Sequence, residues 1–276
     1  MFNRKRRGVI ERTLAGISAA LENTLFTEDI ARRPGLLQGL DARVKVVAVV
    51  ALLVAVSLSH SLAVIAGLYL FTLFLAWRSQ VPLGFFVRRV WLFLPFFTGI
   101  VVLPVLFITP GPLLLTLLPG LSVTRTGLQA ALFLLLRVGT SVSYAILLIL
   151  TTPWATLLKA LSVLRVPDAV IVVLGMTHRY IFLLLHTANE MFLARQSRVV
   201  GRASPGDQRR WIAATIGVLL GKSFHLSNEV YLAMLARGLR STPRTLEPFR
   251  LRQRDWAWGS ALLALALIAI VIGRTA

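Results

Sequence analysis

The chain has 276 residues, of which 57% are hydrophobic, and its mean hydropathy of +0.77 is too high for an ordinary soluble domain. Its 30 lysines and arginines outnumber 11 acidic residues, so the formal net charge is +19. In so apolar a chain this excess favours a membrane protein with basic cytoplasmic loops over a nucleic-acid-binding protein. There is no cysteine, which excludes disulfides and thiol chemistry.

The first segment, residues 1–42, is basic and carries no long apolar core. It therefore does not have the pattern of a cleaved signal peptide. We expect it to lie in the cytoplasm, where the cluster from Asn3 to Arg7 would attract anionic lipid headgroups. Nucleic-acid binding is not expected there, because no aromatic platform accompanies the cations.

The first strongly apolar run extends from Val44 to Ala76 and contains no charge beyond Lys45. As one helix it would be about 50 Å long, which is too long for one ordinary bilayer crossing. The polar stretch from Ser57 to Ser61 divides it. The sequence therefore predicts two short spans joined as a hairpin.

Two further spans are predicted within residues 43–150. Val90 to Ile108 is uncharged and forms the third span, in which Pro95 and Pro104 are expected to produce kinks. Leu128 to Leu150 forms the fourth.

The fourth span contains an arginine, Arg137. An ionisable residue inside a span is a functional candidate by default, so Arg137 is a candidate intramembrane polar site. It could pair with a carboxylate, bond to helix carbonyls, or extend its side chain to the membrane interface.

Residues 151–256 form a long, cation-rich insert that we expect to be cytoplasmic. Three helices are predicted in it. The first runs from Pro153 to Val166, the second begins at Asp168 as its N-cap and continues to about Val200, and the third runs from about Gln208 to Arg240. Helices that start apolar or amphipathic and end charged suit a bundle that lies partly in, and partly below, the membrane interface.

The last span, Ala257 to Gly273, lies in the C-terminal segment 257–276. Cations favour cytoplasmic loops. With the N-terminus inside, the cytoplasmic pieces 1–45, 78–89 and 151–256 hold 27 of the 30 cations. The predicted fold is thus an all-α membrane protein with about five transmembrane helices and a cytoplasmic three-helix region inserted before the last span.

The second and third insert helices end alike, in the hexapeptides LARQSR and LARGLR that begin at positions 193 and 235. The paired arginines share a helix face in each. Cations at a helix C-terminus complement the helix dipole by about 0.3–1 kcal/mol each, which is a purely structural explanation. The alternative is that two cationic tips, held side by side, dock into acidic or carbonyl-lined grooves of a partner, for which arginine is well suited.

A third motif, GVLLGKSF from Gly217 to Phe224, ends like a phosphate-binding loop. A Walker A loop requires four residues between its first glycine and the Gly-Lys-Ser, whereas only three aliphatic residues stand here. We therefore expect no nucleotide site. The motif is more typical of a helix whose small residues, four apart, permit close packing against another helix.

In order and spacing, these motifs resemble the transmembrane T component of energy-coupling factor (ECF) transporters, and in particular the cobalt-type CbiQ family. The similarity extends from about Leu36 to Trp258. The stretches that carry it are LLQGLDARVKVVAVV, RRVWLFLPFFTGIVVLP, LLTTPWATLLKALSVLRVP, GMTHRYIFLLLHTANEM and EVYLAMLARGLRS.

The family has two Ala-Arg-Gly signatures. The second is intact here as Ala236-Arg237-Gly238, but the first is Ala194-Arg195-Gln196, or Ser197-Arg198-Val199 if shifted by three. The principal arginine of the first signature therefore stays open. The resemblance implies that the contact with ATPase subunits lies at these helix ends, in Ala194, Arg195, Arg198, Ala236, Arg237, Gly238 and Arg240.

The resemblance further implies a non-catalytic, multi-pass subunit of a prokaryotic cytoplasmic membrane. Two ABC-type ATPase subunits would bind ATP. A separate S component would capture a divalent transition metal, cobalt with nickel as the alternative. No cofactor, catalytic residue or metal ligand is then expected in this chain, and the four histidines are interpreted as packing or lining residues.

Two other classes of function fit the sequence less well. A self-contained carrier for an uncharged or small solute is the alternative. A cation carrier is disfavoured because no Asp or Glu occurs between Val44 and Leu150. A membrane enzyme would need paired carboxylates or a histidine-rich ligand set, and the sequence offers neither.

Overall fold

The computed structural model describes the chain in several stretches and two compact units. We call Thr27–Ala160 with Phe249–Ala276 the bundle unit, and Met1–Phe26 with Leu161–Pro248 the helix-pair unit. The residues described are 16, 28–109, 112–118, 121–199, 204–238 and 252–275.

The bundle unit is built from long apolar helices that match the predicted spans. They are α1 (Ala42–Leu58), α2 (Leu62–Arg78), α3 (Leu83–Ile108), α4 (Arg125–Thr151) and α8 (Gln253–Thr275). The break predicted at residues 57–61 is confirmed, because α1 ends at Leu58, within this stretch, and α2 begins at Leu62, directly after it. Most of the predicted N-terminal segment 1–42 lies outside the described residues, and the kinks at the two prolines of α3 stay a prediction.

A short β-hairpin that the all-α prediction did not include lies between α3 and α4. Strand β1 (Leu113–Leu118) pairs antiparallel with β2 (Leu121–Thr124), with Leu118 opposite Leu121. The sequence does contain a signal for it, since a leucine-rich run bounded by Pro-Gly dipeptides is typical of a strand. The all-α class is confirmed for the membrane helices, with this hairpin added.

Apolar side chains of α1, α2, α4 and α8 form the centre of the bundle. One cluster surrounds Leu52, Leu68 and Leu262, together with the fully buried ring of Tyr144. The Tyr144 hydroxyl donates to the carbonyl oxygen of Leu68 at 3.1 Å, so the phenol is satisfied although it is buried. A second cluster, around Ile30, packs where α2 ends and α3 begins.

Polar contacts bring helix termini together at one end of the bundle. Lys45 is 5% exposed, and its ammonium donates to the carbonyl of Thr151 at 3.0 Å, where a cation complements the C-terminus of α4. Asp255 is equally buried and accepts hydrogen bonds from the backbone N–H groups of Asp41 (3.2 Å) and Arg252 (2.9 Å). The starts of α1 and α8 and the ends of α2 and α4 therefore share this end of the bundle.

The insert contains three helices, as predicted: α5 (Trp154–Val163), α6 (Asp168–Arg198) and α7 (Pro205–Ala236). The N-cap of α6 is Pro167 and not Asp168, which lies in the first turn. The proline has a fixed, extended backbone that suits the capping position, and Asp168 still complements the helix dipole. Ser204 caps α7 by accepting from the Asp207 N–H at 3.1 Å, so this helix begins before the predicted Gln208.

By length and composition alone, three of the described helices are long and apolar enough to cross a bilayer. They are Arg125–Thr151, Asp168–Arg198 and Gln253–Arg274. The helix Leu62–Arg78 is apolar but shorter. The second of the long helices, α6, belongs to the insert that the sequence places in the cytoplasm. The cytoplasmic assignment of residues 151–256 thus stays a prediction.

Candidate docking site at two helix ends

The first helix end, Leu193–Arg198, closes α6 and contains an arginine that is held by aromatic rings. The guanidinium carbon of Arg195 lies 4.4 Å from the ring centroid of Trp211 on α7. Phe192 meets the same indole edge-on, with centroids 4.8 Å apart. A cation over an indole face is stabilised by about 0.5–2 kcal/mol. The side chain of Arg195 is half-buried, and its Nη1 is buried without a hydrogen-bond partner among the described residues.

The other residues of the first helix end are exposed. Ala194 and Arg198 both face solvent. The helix continues through Gln196 and ends at Arg198, after which Val199 is extended and donates its N–H to the carbonyl of Arg195 at 3.0 Å. Because Gln196 is helical, this end needs no glycine.

The second helix end, Leu235–Gly238, has a different local structure. Ala236 is the last residue of α7, and Arg237 is its C-cap. Gly238 has a φ of +77°, the left-handed conformation that commonly follows a helix, and donates to the carbonyl of Leu235 at 2.9 Å. Arg237 is exposed and forms no ion pair with a described residue. Arg240 lies outside the described residues.

The two helix ends are far apart, so the expectation that they lie side by side is wrong. Arg195 lies against Trp211, and farther along the pair Lys222 donates to the Thr187 hydroxyl at 3.3 Å. The two helices therefore run antiparallel. Arg237 follows Trp211 by 26 residues, or about 39 Å of helix. Antiparallel helices place their C-termini at opposite ends, which the repeated sequence could not reveal.

The Gly-Lys-Ser motif is part of a continuous helix, as expected. Gly217 to Phe224 lies within α7, and the Lys222 ammonium is directed at Thr187 instead of into a phosphate-binding loop. Among the described residues, no other helix packs closely against Gly217 or Gly221. A Cβ built on Gly217 or Gly221 meets no described atom within 4 Å.

Arg137 serves the structure of the bundle. Its guanidinium donates to the carbonyls of Val56 (3.3 Å), Ser57 and Ser59 (2.9 Å), at the end of α1. Its guanidinium carbon also lies 5.0 Å from the centroid of the Phe133 ring. Of the roles considered for this arginine, bonding to helix carbonyls is the one observed. It satisfies acceptors that the end of α1 leaves open.

Two histidine–glutamate pairs lie on exposed faces of the helix pair. His186 is 3.4 Å from Glu190, and His225 is 3.1 Å from Glu229, each one turn apart on its helix. Within the described stretches, no group of three or more possible metal-ligating side chains is found.

Trp211 was missed from the sequence, although it holds one of the predicted arginines. It stands 16 residues after Arg195 and on the next helix. An aromatic residue near the start of an amphipathic helix is an ordinary core candidate. Only the antiparallel packing of α6 and α7 brings it to the arginine.

The fold and the two helix ends define a class: a multi-pass helical membrane protein with a second unit made of two long, arginine-bearing helices. Comparison with known proteins is more specific. The model of the CbiQ family, described as cobalt transport protein, matches residues 35–246, and the chain belongs to that family. The resemblance predicted from the motifs is thereby confirmed, and the matched region contains both helix ends.

Individual relatives cover most of the chain. An uncharacterised protein of Methanocaldococcus jannaschii is 32% identical over 96% of this chain and 91% of its own length. The energy-coupling factor transporter transmembrane protein EcfT of Lacticaseibacillus paracasei is 29% identical over 84% of this chain and 92% of its own. The cobalt transport protein CbiQ of Rhodobacter capsulatus is 31% identical over 55% of this chain and 64% of its own.

Proposed function

We propose that the chain is the energy-coupling transmembrane subunit of an ECF-type importer. It would link ATP hydrolysis by two ABC-type ATPase subunits to the uptake of a divalent transition metal, cobalt with nickel as the alternative, captured by a separate S component. The names of the EcfT and CbiQ relatives support this class of function. The observation that carries the proposal is the exposed Arg237 at the C-cap of α7, about 39 Å along that helix from the first helix end.

The separation of the helix ends suits contact with two partners at once. An ATPase dimer offers two equivalent grooves that move when the dimer closes on ATP. Arginine presents a planar fork of five donors, which fits carboxylates or backbone carbonyls in such grooves. Because α6 and α7 are each continuous, displacement of one end would tilt the whole helix. The chain would thus transmit the movement of the ATPase dimer through α6 and α7. ATP would be bound only by the ATPase subunits, and this chain would bind no cofactor.

Exposed apolar side chains on α6 and α7 support a further contact, with another protein or with lipid at the membrane interface. Val173 is 62% exposed, Phe224 66% and Leu232 63%. Apolar exposure on this scale is typical of a surface that meets lipid or another protein. We assign this surface to the S component and the surrounding lipid.

The proposed orientation places the N-terminus in the cytoplasm of a prokaryotic cell. The cations that support it stand at the bundle end shared by Lys45, Arg78 and Arg254. Cations next to membrane spans favour the cytoplasmic side. A self-contained carrier finds less support, since the guanidinium of Arg137 already bonds to three backbone carbonyls.

A co-purification experiment tests the proposal. The tagged chain is co-expressed with a cobalt-type ATPase subunit and S component, and purified in detergent as wild type or with Arg195→Glu plus Arg237→Glu. The matched control is Arg125→Glu plus Arg274→Glu, which makes the same charge change on the other side of the membrane in the proposed orientation. We expect the ATPase to be retained by the wild type and the control and lost from the Arg195/Arg237 variant.

Two other outcomes would contradict the coupling function or the assigned contact. If the ATPase is never retained, the coupling function fails and a self-contained carrier becomes the better hypothesis. If the Arg195/Arg237 variant retains as much ATPase as the wild type, the complex stands but its contact lies elsewhere than at the two helix ends.

A further inference from the structure

A cationic cavity of about 570 Å³ lies in the bundle unit, where α2 ends and α8 begins. Its volume is in the range of small-ligand sites. Four arginines contribute to its walls, and no acidic residue is among the described residues that line it. The arginines are Arg32, Arg33, Arg78 and Arg254.

These arginines are hardly neutralised by neighbours. Arg32 is 4.0 Å from Glu28, one turn away on an exposed surface. An ion pair of that kind contributes little. Within the described part of the chain, Arg33, Arg78 and Arg254 form no ion pair. The cavity therefore concentrates positive charge that would favour an anion.

The wall of the cavity is built by tertiary contacts. Gln38 donates from Nε2 to the carbonyl of Ser79 at 2.9 Å, which ties the turn before α1 to the end of α2. Its Oε1 is buried and has no described hydrogen-bond partner. Arg254 reaches the carbonyl of Leu36 at 3.5 Å, and a Cβ at Gly39 would lie only 2.8 Å from its Nη2. The absence of a side chain at Gly39 thus leaves room for the Arg254 guanidinium.

The cavity also lies where the predicted span of α2 would meet the membrane surface. Arg78 is in the last turn of α2, directly after the apolar run that forms that span. Trp258, which lines the cavity, stands in the first turns of α8 and packs against the bundle core. Tryptophan is enriched at the level of the lipid headgroups. Basic pockets between helices at that level bind phosphate-bearing lipid headgroups.

We propose that this cavity binds the phosphate of an anionic phospholipid. The arginines would donate to the phosphate oxygens, and the lipid tail would lie along the apolar helices that begin at the same level. A lipid is favoured over a free phosphate because the cavity lies at the predicted level of the bilayer surface, beside apolar helices. The inference concerns the bundle unit alone and does not depend on the proposed docking of the ATPase.

Native mass spectrometry of the full chain tests it. The protein is released from nanodiscs that contain phosphatidylcholine and phosphatidylglycerol, and the retained lipids are identified. We expect the wild type to keep phosphatidylglycerol preferentially. Arg78→Gln plus Arg254→Gln should weaken that retention about fivefold for each arginine removed. The control, Arg88→Gln plus Arg209→Gln, makes the same charge change at exposed positions outside the cavity and should behave like the wild type.

Two further measurements distinguish lipid binding in the cavity from an effect of lost charge alone and from a destabilised fold. Arg78→Lys plus Arg254→Lys preserves the charge and should retain more phosphatidylglycerol than the glutamine pair does. Unfolding temperatures in phosphatidylcholine alone should agree among all variants. The proposal is overturned if the glutamine pair retains as much phosphatidylglycerol as the wild type or if the control loses as much. It is also overturned if inorganic phosphate alone raises the unfolding temperature while phosphatidylglycerol does not.

Discussion

The two helix ends of the helix-pair unit begin with the same three residues, Leu-Ala-Arg, yet the two arginines have different surroundings. Arg195 is half-buried against Trp211, inside the last turn of α6. Arg237 is exposed and follows the last turn of α7, where Gly238 reverses the backbone. The same three residues therefore contain, at one helix end, an arginine that packs against its own chain and, at the other, an arginine that is available to a partner.

This difference bears on which arginines make the proposed ATPase contact. A guanidinium fixed on an indole loses little side-chain entropy on docking, but part of its surface is already occupied. The exposed Arg198, one turn beyond Arg195, remains available beside it. At the first helix end we therefore propose Arg198 as the outer contact and Arg195 as the residue that positions it. At the second helix end we propose the exposed Arg237 itself as the contact.

The largest effect is expected from charge reversal at the exposed arginine. Arg237→Glu should lower metal uptake about 30-fold or more in cells that co-express the partners, because removing one side of a charged interface contact costs at least about 2 kcal/mol. The unfolding temperature of the purified chain should not change, since Arg237 has no described ion-pair partner to lose.

Arg274→Glu, at the far end of α8, is the control for this reversal and should take up metal normally. Uptake at the wild-type rate by the Arg237→Glu variant would show that the second helix end is not a docking contact. A lowered unfolding temperature would show instead that Arg237 is held as firmly as Arg195, and the contrast between the two ends would disappear.

A smaller effect is expected when the aromatic support of the first helix end is removed. Trp211→Ala should destabilise the helix-pair unit by about 1–2 kcal/mol, through loss of the contacts with Arg195 and Phe192. Limited proteolysis of the region around α6 and α7 should be faster, and ATPase retention should fall up to tenfold. Trp211→Phe keeps an aromatic face and should recover most of both. If the alanine variant resists proteolysis as well as the wild type does, Trp211 does not hold the first helix end.

The smallest effects are expected from single substitutions of Gly238 and Gln196, the residues that directly follow Arg237 and Arg195. Gly238→Ala places a side chain at a φ of +77° and should cost about 1 kcal/mol, or about fivefold in ATPase retention. Gln196→Gly would complete the Ala-Arg-Gly signature at the first helix end. It should nonetheless be mildly destabilising, by about 0.5–1 kcal/mol, because residue 196 is helical.

The unfolding temperatures of the Gly238→Ala and Gln196→Gly variants, each compared with that of the wild type, measure these two effects. Stabilisation by Gln196→Gly would mean that the first helix end also adopts the reversed backbone in solution. An unchanged stability for Gly238→Ala would mean that the reversal at the second helix end is not maintained.

The helical framework was largely predictable because its signals are local. Apolar runs of sufficient length predicted α1, α2, α3, α4 and α8, and the polar interruption at residues 57–61 predicted the break between α1 and α2. The β-hairpin was missed, since a leucine-rich run in an apolar chain does not separate strand from span by hydropathy alone. Of the candidate site, the arginines were found by their repetition, whereas Trp211 was not.

By itself, the sequence determined that this is a multi-pass membrane protein of the CbiQ family, with cations gathered in a few segments and two helices that end in arginines. Those properties depend on residues close together in the chain. Only the tertiary structure decided that the two helix ends lie apart, that Arg195 rests on an indole, that Arg137 bonds to the end of α1, and that distant arginines surround one cavity. Each of these depends on how helices remote in sequence pack against one another, and neither hydropathy nor spacing encodes such pairings.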